Sequence, residues 1–259
     1  MEKQRIAVTG ASGRLGRHVV EVLEERGHEA VRISRTDGVD VITGEGLADA
    51  LVGVDAVIDA ATPPTPDEAV AIEFFTTSAK NLHAAGRQAG VERMITVSIV
   101  GIDQYTHGYQ LGKLAQEKAA LAGPVPVRIA RATQFHEFIG VVADWGRQGD
   151  VAYVAKWRIQ PAAARSVAEA LVDLALDPDS AKLGLPTVEI AGPQEENFVD
   201  LAVELMAKRG DGVQVQAGSD PSDPDNHLGE SGALLPGPDA VIVGPTFAEW
   251  LAAGERVPR

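Results

Sequence analysis

Four stretches, "RIAVTG" (5–10), "DAVIDAA" (55–61), "ERMITVSIV" (92–100) and "VPVRIARAT" (125–133), offer almost no polar face to water. Strands of that kind need cover on both sides, which a parallel sheet with helices on each face provides. Helical spacing separates them: apolar positions 15, 19, 20, 22 and 23 before a stop at Gly27, then a long helix from Asp67 to about Gln88, then a helix holding Tyr109. Further strands are predicted at "EAVRIS" (29–34) and "VDVI" (39–42), with a short helix near 45–51. The alternation predicts an α/β chain with a doubly wound parallel sheet.

Past residue 134 the rhythm loosens. Helices are predicted near 135–148, 164–176 and 195–208, a strand at "TVEIAG" (187–192), a loop over the Gly-, Pro-, Asp- and Ser-rich 216–238, and a last helix at "FAEWLAAG". The simplest parse is one domain, 1–259, with a core over about 1–134 and a small C-terminal lobe over about 135–259, laid on the carboxyl edge of the sheet. No apolar run approaches the ~18 residues of a spanning helix, and "MEKQRIAVTG" has no signal-peptide core. Without Cys there are no disulfides, thiolate nucleophiles or Cys-based metal sites, and a cytoplasmic location is expected. A net charge of −14 argues against nucleic-acid partners. Six histidines, none at i, i+4 spacing, predict no metal site. Monomer and homodimer both stay open.

In "VTGASGRLGRHVV", Gly10, Gly13 and Gly16 fall between the first strand and the first helix. Gly10 suits the tight turn, Gly13 lets the backbone approach a pyrophosphate, and Gly16 permits close helix–strand packing. The helix N-terminus then faces the phosphates. Ser12, Arg14 and Leu15 complete the loop. A dinucleotide without a 2′-phosphate would want a carboxylate at the end of the second strand, but "RISRT" offers Ser34 and Arg35. A guanidinium there suits a 2′-phosphate, and Arg14 could reach the same group, so NADP(H) is the expected cofactor. Solvated surface arginines are the competing reading.

"GYQLGKLAQEK" puts Tyr109 and Lys113 one turn apart on one helix face. A phenol of reference pKa near ~10 works as an acid or base at neutrality only if an adjacent cation favours its phenolate.

With "VTGASGRLG", "ISR", "VIDAAT", "TVSIVGID", "YQLGKLAQE" and "RIARATQFHEF" in this order over roughly 5–210, the chain resembles the short-chain dehydrogenase/reductase superfamily. Within it, the resemblance is to the atypical branch of NmrA-like and NAD(P)H-binding proteins. It implies a Rossmann-type core of strand order 3-2-1-4-5-6-7, with substrate bound at the carboxyl edges of the strands. It also implies that Tyr109 exchanges a proton with the substrate oxygen, while Lys113 binds the nicotinamide ribose and lowers the Tyr109 pKa. The third catalytic position, a hydroxyl, falls on or near Ser98, where Ile99 and Val100 follow. Asp59, Ala60, Ala61 and Thr62 are expected beside the adenosine and pyrophosphate, and Thr133 and Phe135 on the cofactor. Gln134 and His136 are expected toward the substrate, although a His between Phe135 and Phe138 also reads as a core or orienting residue. His107, the Trp145 and Trp157 neighbourhoods and 216–238 are further candidates for the substrate side.

The leading functional expectation is an NADPH-dependent reductase of a small, hydrophobic carbonyl or quinone-like acceptor. A non-catalytic NADP(H) sensor, as NmrA-like proteins can be, is second. A nucleotide-sugar epimerase or dehydratase ranks last, because that branch carries a larger C-terminal domain.

Overall fold

The strand β1 (Arg5–Thr9) buries Ile6, Ala7, Val8 and Thr9 completely in the computed structural model, which describes residues 3–181, 187–210, 212–218 and 224–254. It lies between β2 (Glu29–Ile33) and β3 (Ala56–Asp59), parallel to both. α1 (Gly16–Glu25) crosses from β1 to β2 and buries Val19, Val20, Val22 and Leu23. After β2 come the short α2 (Leu47–Ala50), β3, α3 (Glu68–Ala89), β4 (Arg93–Ile99), α4 (Tyr109–Leu121) and β5 (Val127–Ala132). The ends of α3 follow capping chemistry: the Asp67 carboxylate accepts from Val70 N at 3.0 Å, and Gly90 closes the helix at φ +79°.

The remaining elements are α5 (His136–Trp145), β6 (Arg147–Gln148), β7 (Val151–Val154), β8 (Arg158–Ile159), α6 (Ala164–Leu176), β9 (Thr187–Ala191), β10 (Glu196–Asn197), α7 (Phe198–Arg209), β11 (Gln214–Ala217), α8 (Asn226–Ser231), β12 (Val241–Ile242) and α9 (Phe247–Ala252). Seven strands form one parallel sheet in the order β12-β9-β5-β4-β3-β1-β2, flanked by helices. The fold is α/β and Rossmann-like. Its strand order reverses at β1, between β2 and β3, and open sheets of this kind bind ligands past the carboxyl ends of the strands at such a point.

Three sequence expectations need correction. Residues 39–42 are not a strand, so the sheet lacks the outermost position of the order 3-2-1-4-5-6-7. Numbered along the chain, its seven strands run 2-1-3-4-5-6-7, with β12 supplying the far edge. The "VDVI" alternation is real, but its hydrogen bonds are made elsewhere. Asn81 Nδ2 donates to Val41 O and Ile42 O, both at 2.9 Å, and Asp40 Oδ1 accepts from Ile42 N at 2.7 Å. Within 216–238, α8 is helical and β11 reaches in to residue 217, pairing in parallel with β7; residues 219–223 lie outside the described residues. The predicted helix at 195–208 starts later, at Phe198, because Glu196 and Asn197 pair with β8 instead.

The chain divides into two compact units. The first comprises Met1–Ser98, Thr106–Arg131 and Ala168–Val188, and the second Ile99–Tyr105, Ala132–Val167 and Glu189–Arg259. An apolar cluster of the first unit includes Ala7, Ile33, Leu47, Val57, Leu82, Met94 and Ile129. One of the second gathers Ile139, Ile159, Phe198, Leu205, Phe247 and Trp250. No helix among the described residues is long and apolar enough to cross a membrane.

Candidate functional site

The glycine loop is built by close backbone approaches. Gly10, at φ +62°, turns the chain out of β1, and a Cβ on it would stand 2.7 Å from Ala60 O. A Cβ on Gly16 would collide with the Gly10 carbonyl. Gly13 N donates to Gly10 O at 2.8 Å, which folds the loop on itself and leaves Ser12, Gly13 and Arg14 exposed. Leu15 is buried beneath them. α1 has no side-chain cap at its N-terminus, and the backbone N–H groups of Arg14 and Leu15 donate to no described residue. Bare donors at a positive helix end, with no side chain over them, fit a pyrophosphate.

At the end of β2 the chain makes a 3₁₀ turn, Arg35–Asp37. Arg35 is exposed and its guanidinium pairs with no described residue. Ser34 Oγ bonds Thr36 Oγ1 at 2.7 Å and donates to the Asp37 carboxylate. Asp37 is thus an acidic group at the place where the strand-end sequence offers only Ser34 and Arg35, and a motif read only to the last strand residue misses it.

At the end of β3, Asp59 is buried within a polar network. Thr9 Oγ1 donates to Asp59 Oδ1 at 2.5 Å and accepts from the backbone N–H of Ala60 and Ala61 at 3.1 Å each. Gln116 Nε2 donates to Asp59 Oδ2 at 2.9 Å. Lys113 Nζ donates to Gln116 Oε1 and to Val97 O, both at 2.7 Å, and stands 4.3 Å from the centre of the Phe75 ring. Thr62, just beyond, is exposed. The ends of β1, β3 and β4 are thereby tied to one face of α4 through Lys113.

Burial pulls the Lys113 ammonium down to about 8, against the raising influence of Asp59 and Glu117. Tyr109, one turn earlier, is half-buried with its ring edge-on to Phe75 at 5.6 Å. Its hydroxyl is pushed above its usual pKa by burial, with no cation lowering it. Gln116, Thr9 and Phe75 are not singled out by sequence patterns. Gln116 alone has a local signal, three positions after Lys113 on the same helix face.

Ser98 is 1% exposed and its Oγ has no hydrogen-bond partner among the described residues. The structure therefore does not join it to Tyr109 or Lys113. Thr133, Gln134, Phe135 and His136 belong to the second unit. Thr133 Oγ1 and Gln134 Oε1 are buried without partners among the described residues, while Gln134 O accepts from Ala162 N at 3.0 Å. Phe135 pairs with Ala162 in an isolated parallel bridge. His136 is fully buried between Phe247 and Trp250, its Nε2 donating to Pro245 O at 3.2 Å, and burial lowers its pKa to about 4. It is a neutral core histidine. Trp145 is 65% exposed beside Phe138, whereas Trp157 packs edge-on to Phe198.

Comparison with known proteins agrees with this geometry. Residues 10–123 match a family described as NAD(P)H-binding. A stretch of 112 residues is 34% identical to 3-beta-hydroxysteroid dehydrogenase of Mycolicibacterium neoaurum, covering 35% of this chain and 31% of that protein. Another of 115 residues is 30% identical to the photosystem II assembly factor Ycf39 of Synechocystis sp., covering 39% and 35%. The chain thus spans about a third of the length of these curated relatives. Over 96% of this chain and 99% of the other, the fold matches the NADPH-dependent quinone oxidoreductase QOR2 of Escherichia coli complexed with NADPH, with a TM-score of 0.66 at 19% identity. Residues 10–123 are therefore similar to NAD(P)H-binding proteins, in a chain whose fold matches that of a short-chain dehydrogenase/reductase superfamily protein from Agrobacterium tumefaciens, with a TM-score of 0.68 at 17% identity over 96% of this chain and 95% of that one.

Proposed function

We propose that the protein is an NADPH-dependent oxidoreductase that reduces a small, hydrophobic carbonyl or quinone-like acceptor, with Tyr109 and Lys113 as its acid–base dyad. The observation that carries this reading is the buried Lys113 ammonium, fixed at the carboxyl edge of the sheet one turn after a half-buried phenol, in the same unit as the bare glycine loop. The dinucleotide supplies the hydride when bound. Gly10, Ser12, Gly13, Leu15 and Gly16 would hold its pyrophosphate, Arg14, Ser34 and Arg35 its 2′-phosphate side, and Asp59, Ala60, Ala61 and Thr62 its adenosine side. Lys113 would hold its ribose. His136, sealed in an aromatic core, has no part in the reading.

Burial raises the Tyr109 phenol, so it would enter the reaction protonated, and its transfer to the acceptor oxygen depends on the Lys113 charge one turn away. Lys113 loses its charge as pH rises through about 8, and turnover falls over that range with it.

A second reading, a non-catalytic NADP(H) sensor, is favoured by one observation. Two of the three Lys113 donors are engaged with Val97 O and Gln116, and burial raises the Tyr109 phenol rather than lowering it. NADPH oxidation across a panel of quinones, aldehydes and ketones separates the two. Tyr109→Phe is expected to lower turnover by about 10²–10⁴ while leaving NADPH affinity nearly unchanged. A native protein that binds NADPH and oxidises it with none of these acceptors overturns the enzyme. In parallel titrations, native protein is expected to prefer NADPH over NADH, and Arg35→Ala to remove most of that preference, roughly tens-fold. Equal native affinities overturn the NADP(H) assignment, and a preference for NADH would point to Asp37 instead of Arg35.

A further inference from the structure

Gln116 has two charged neighbours and presents a different atom to each. Its Oε1 accepts from Lys113 Nζ at 2.7 Å, its Nε2 donates to Asp59 Oδ2 at 2.9 Å, and the residue is 1% exposed. An ammonium only donates and a carboxylate only accepts, so the amide has a single orientation open to it. Both bonds are charge-assisted and shielded from water, which makes them stronger than their surface counterparts.

Among the described residues, Lys113 Nζ makes one other hydrogen bond, to Val97 O at 2.7 Å. An ammonium carries three N–H bonds, and two are committed here. An amine carries two, which is the number its two acceptors need. The nitrogen can therefore lose a proton without giving up either bond. The groups set around it are Asp59 from the end of β3, Glu117 from α4, the Phe75 ring from α3 and the Val97 carbonyl from β4, with Tyr109 one turn earlier on α4. Glu117 is itself offset by Arg131, whose Nε and Nη2 donate to its two oxygens at 2.9 Å each. The charge felt most directly through hydrogen bonds is thus that of Asp59, relayed by Gln116. Burial brings the ammonium to about 8, so both forms are populated just above neutrality.

Building on the oxidoreductase reading above, we propose that Gln116 is a positioning residue of this site: it holds Lys113 Nζ in one place in both its charged and neutral forms, and leaves the third position on the nitrogen as the one through which a proton enters and leaves. Uptake there converts amine to ammonium and release reverses it, the proton passing to or from water, with no other bond made or broken.

The test follows the Lys113 side chain itself in the full-length protein. Lysine ε-carbons are labelled with ¹³C, the Lys113 resonance is assigned by its loss in Lys113→Met, and it is titrated by NMR. Gln116→Leu keeps the bulk but removes the acceptor, so the Lys113 midpoint is expected to fall by about one pH unit. The pH at which NADPH oxidation loses its rate should move by the same amount. Gln116→Glu restores an acceptor and adds a second carboxylate, and is expected to raise the midpoint above the native one. Midpoints that stay at the native value in both variants overturn the proposal. Should Gln116→Leu fail to fold, Gln116→Glu decides alone, since an unmoved midpoint in it has the same meaning. The two readings fail separately: shifted midpoints in a protein that reduces no acceptor sink the enzyme but keep the Gln116–Lys113 coupling, while turnover with unmoved midpoints does the reverse.

Discussion

His136, read in the sequence as a substrate-side or core residue, is fully buried in the structure. Its imidazole is neutral in the fold because burial between Phe247 and Trp250 disfavours the charged form, lowering the pKa from 6.5 to about 4. The sign of the effect on stability follows from proton binding. Between those two values the unfolded chain binds the proton and the folded chain does not, so the stability present above pH 6.5 is lost as pH falls through about 4. The full loss is on the order of 3 kcal/mol. His136→Gln does not titrate and keeps a donor for the Pro245 carbonyl, so its urea-unfolding free energy should fall less than the native one between neutral and mildly acidic pH. Identical slopes would mean that other groups set the acid sensitivity. The identity of His136 as core was written in its neighbours Phe135 and Phe138, but its partners Pro245, Phe247 and Trp250 lie more than a hundred residues on, beyond any local pattern.

At the level of elements, the β1–α1 turn divides its glycines between two jobs. Gly16 lies where any Cβ meets the Gly10 carbonyl, so Gly16→Ala must displace the backbone between β1 and α1 and is expected to destabilise the fold by about 1–3 kcal/mol, read as a lower Tm. Gly13 is exposed, and a Cβ there stands 3.0 Å from Gly10 O, tight but open on its outer side. Gly13→Val should therefore fold yet lose most of its NADPH affinity by calorimetry, because the branched side chain occupies the approach to the bare N–H groups. A Gly13→Val protein with native affinity would move the phosphate site elsewhere. The sequence made these elements legible wherever periodicity ran long: α6 spans Ala164–Leu176, as its spacing predicts, and β1, β3 and β4 were visible as apolar runs. Two-residue strands such as β8, β10 and β12 are too short to carry a period. "VDVI" carried one and was still not a strand, because Asn81, about forty residues away, serves its carbonyls.

Across the whole molecule, the candidate site was legible as motifs and illegible as a network. Tyr109, Lys113 and the glycine loop stand out by spacing alone, but the bonds that give Lys113 its place run through Gln116 to Asp59, 57 positions apart, and from Thr9 to Asp59, 50 apart. Only folding brings such pairs together. The threading of the two units is another property of this scale. Each unit is made of three segments, and the segments alternate, so the chain passes between units five times. The third segment of the first unit, Ala168–Val188, contains most of α6, whose Ala175 and Leu176 carbonyls accept from Arg93 Nε at 2.8 Å and Gln4 Nε2 at 3.3 Å. No single cut in the gene can release either unit whole: shortening the reading frame after residue 167 would strip the first unit of a helix it depends on. Recombination can therefore pass this architecture on only as one piece, and diversity has to enter by substitution and loop insertion rather than by exchange of modules.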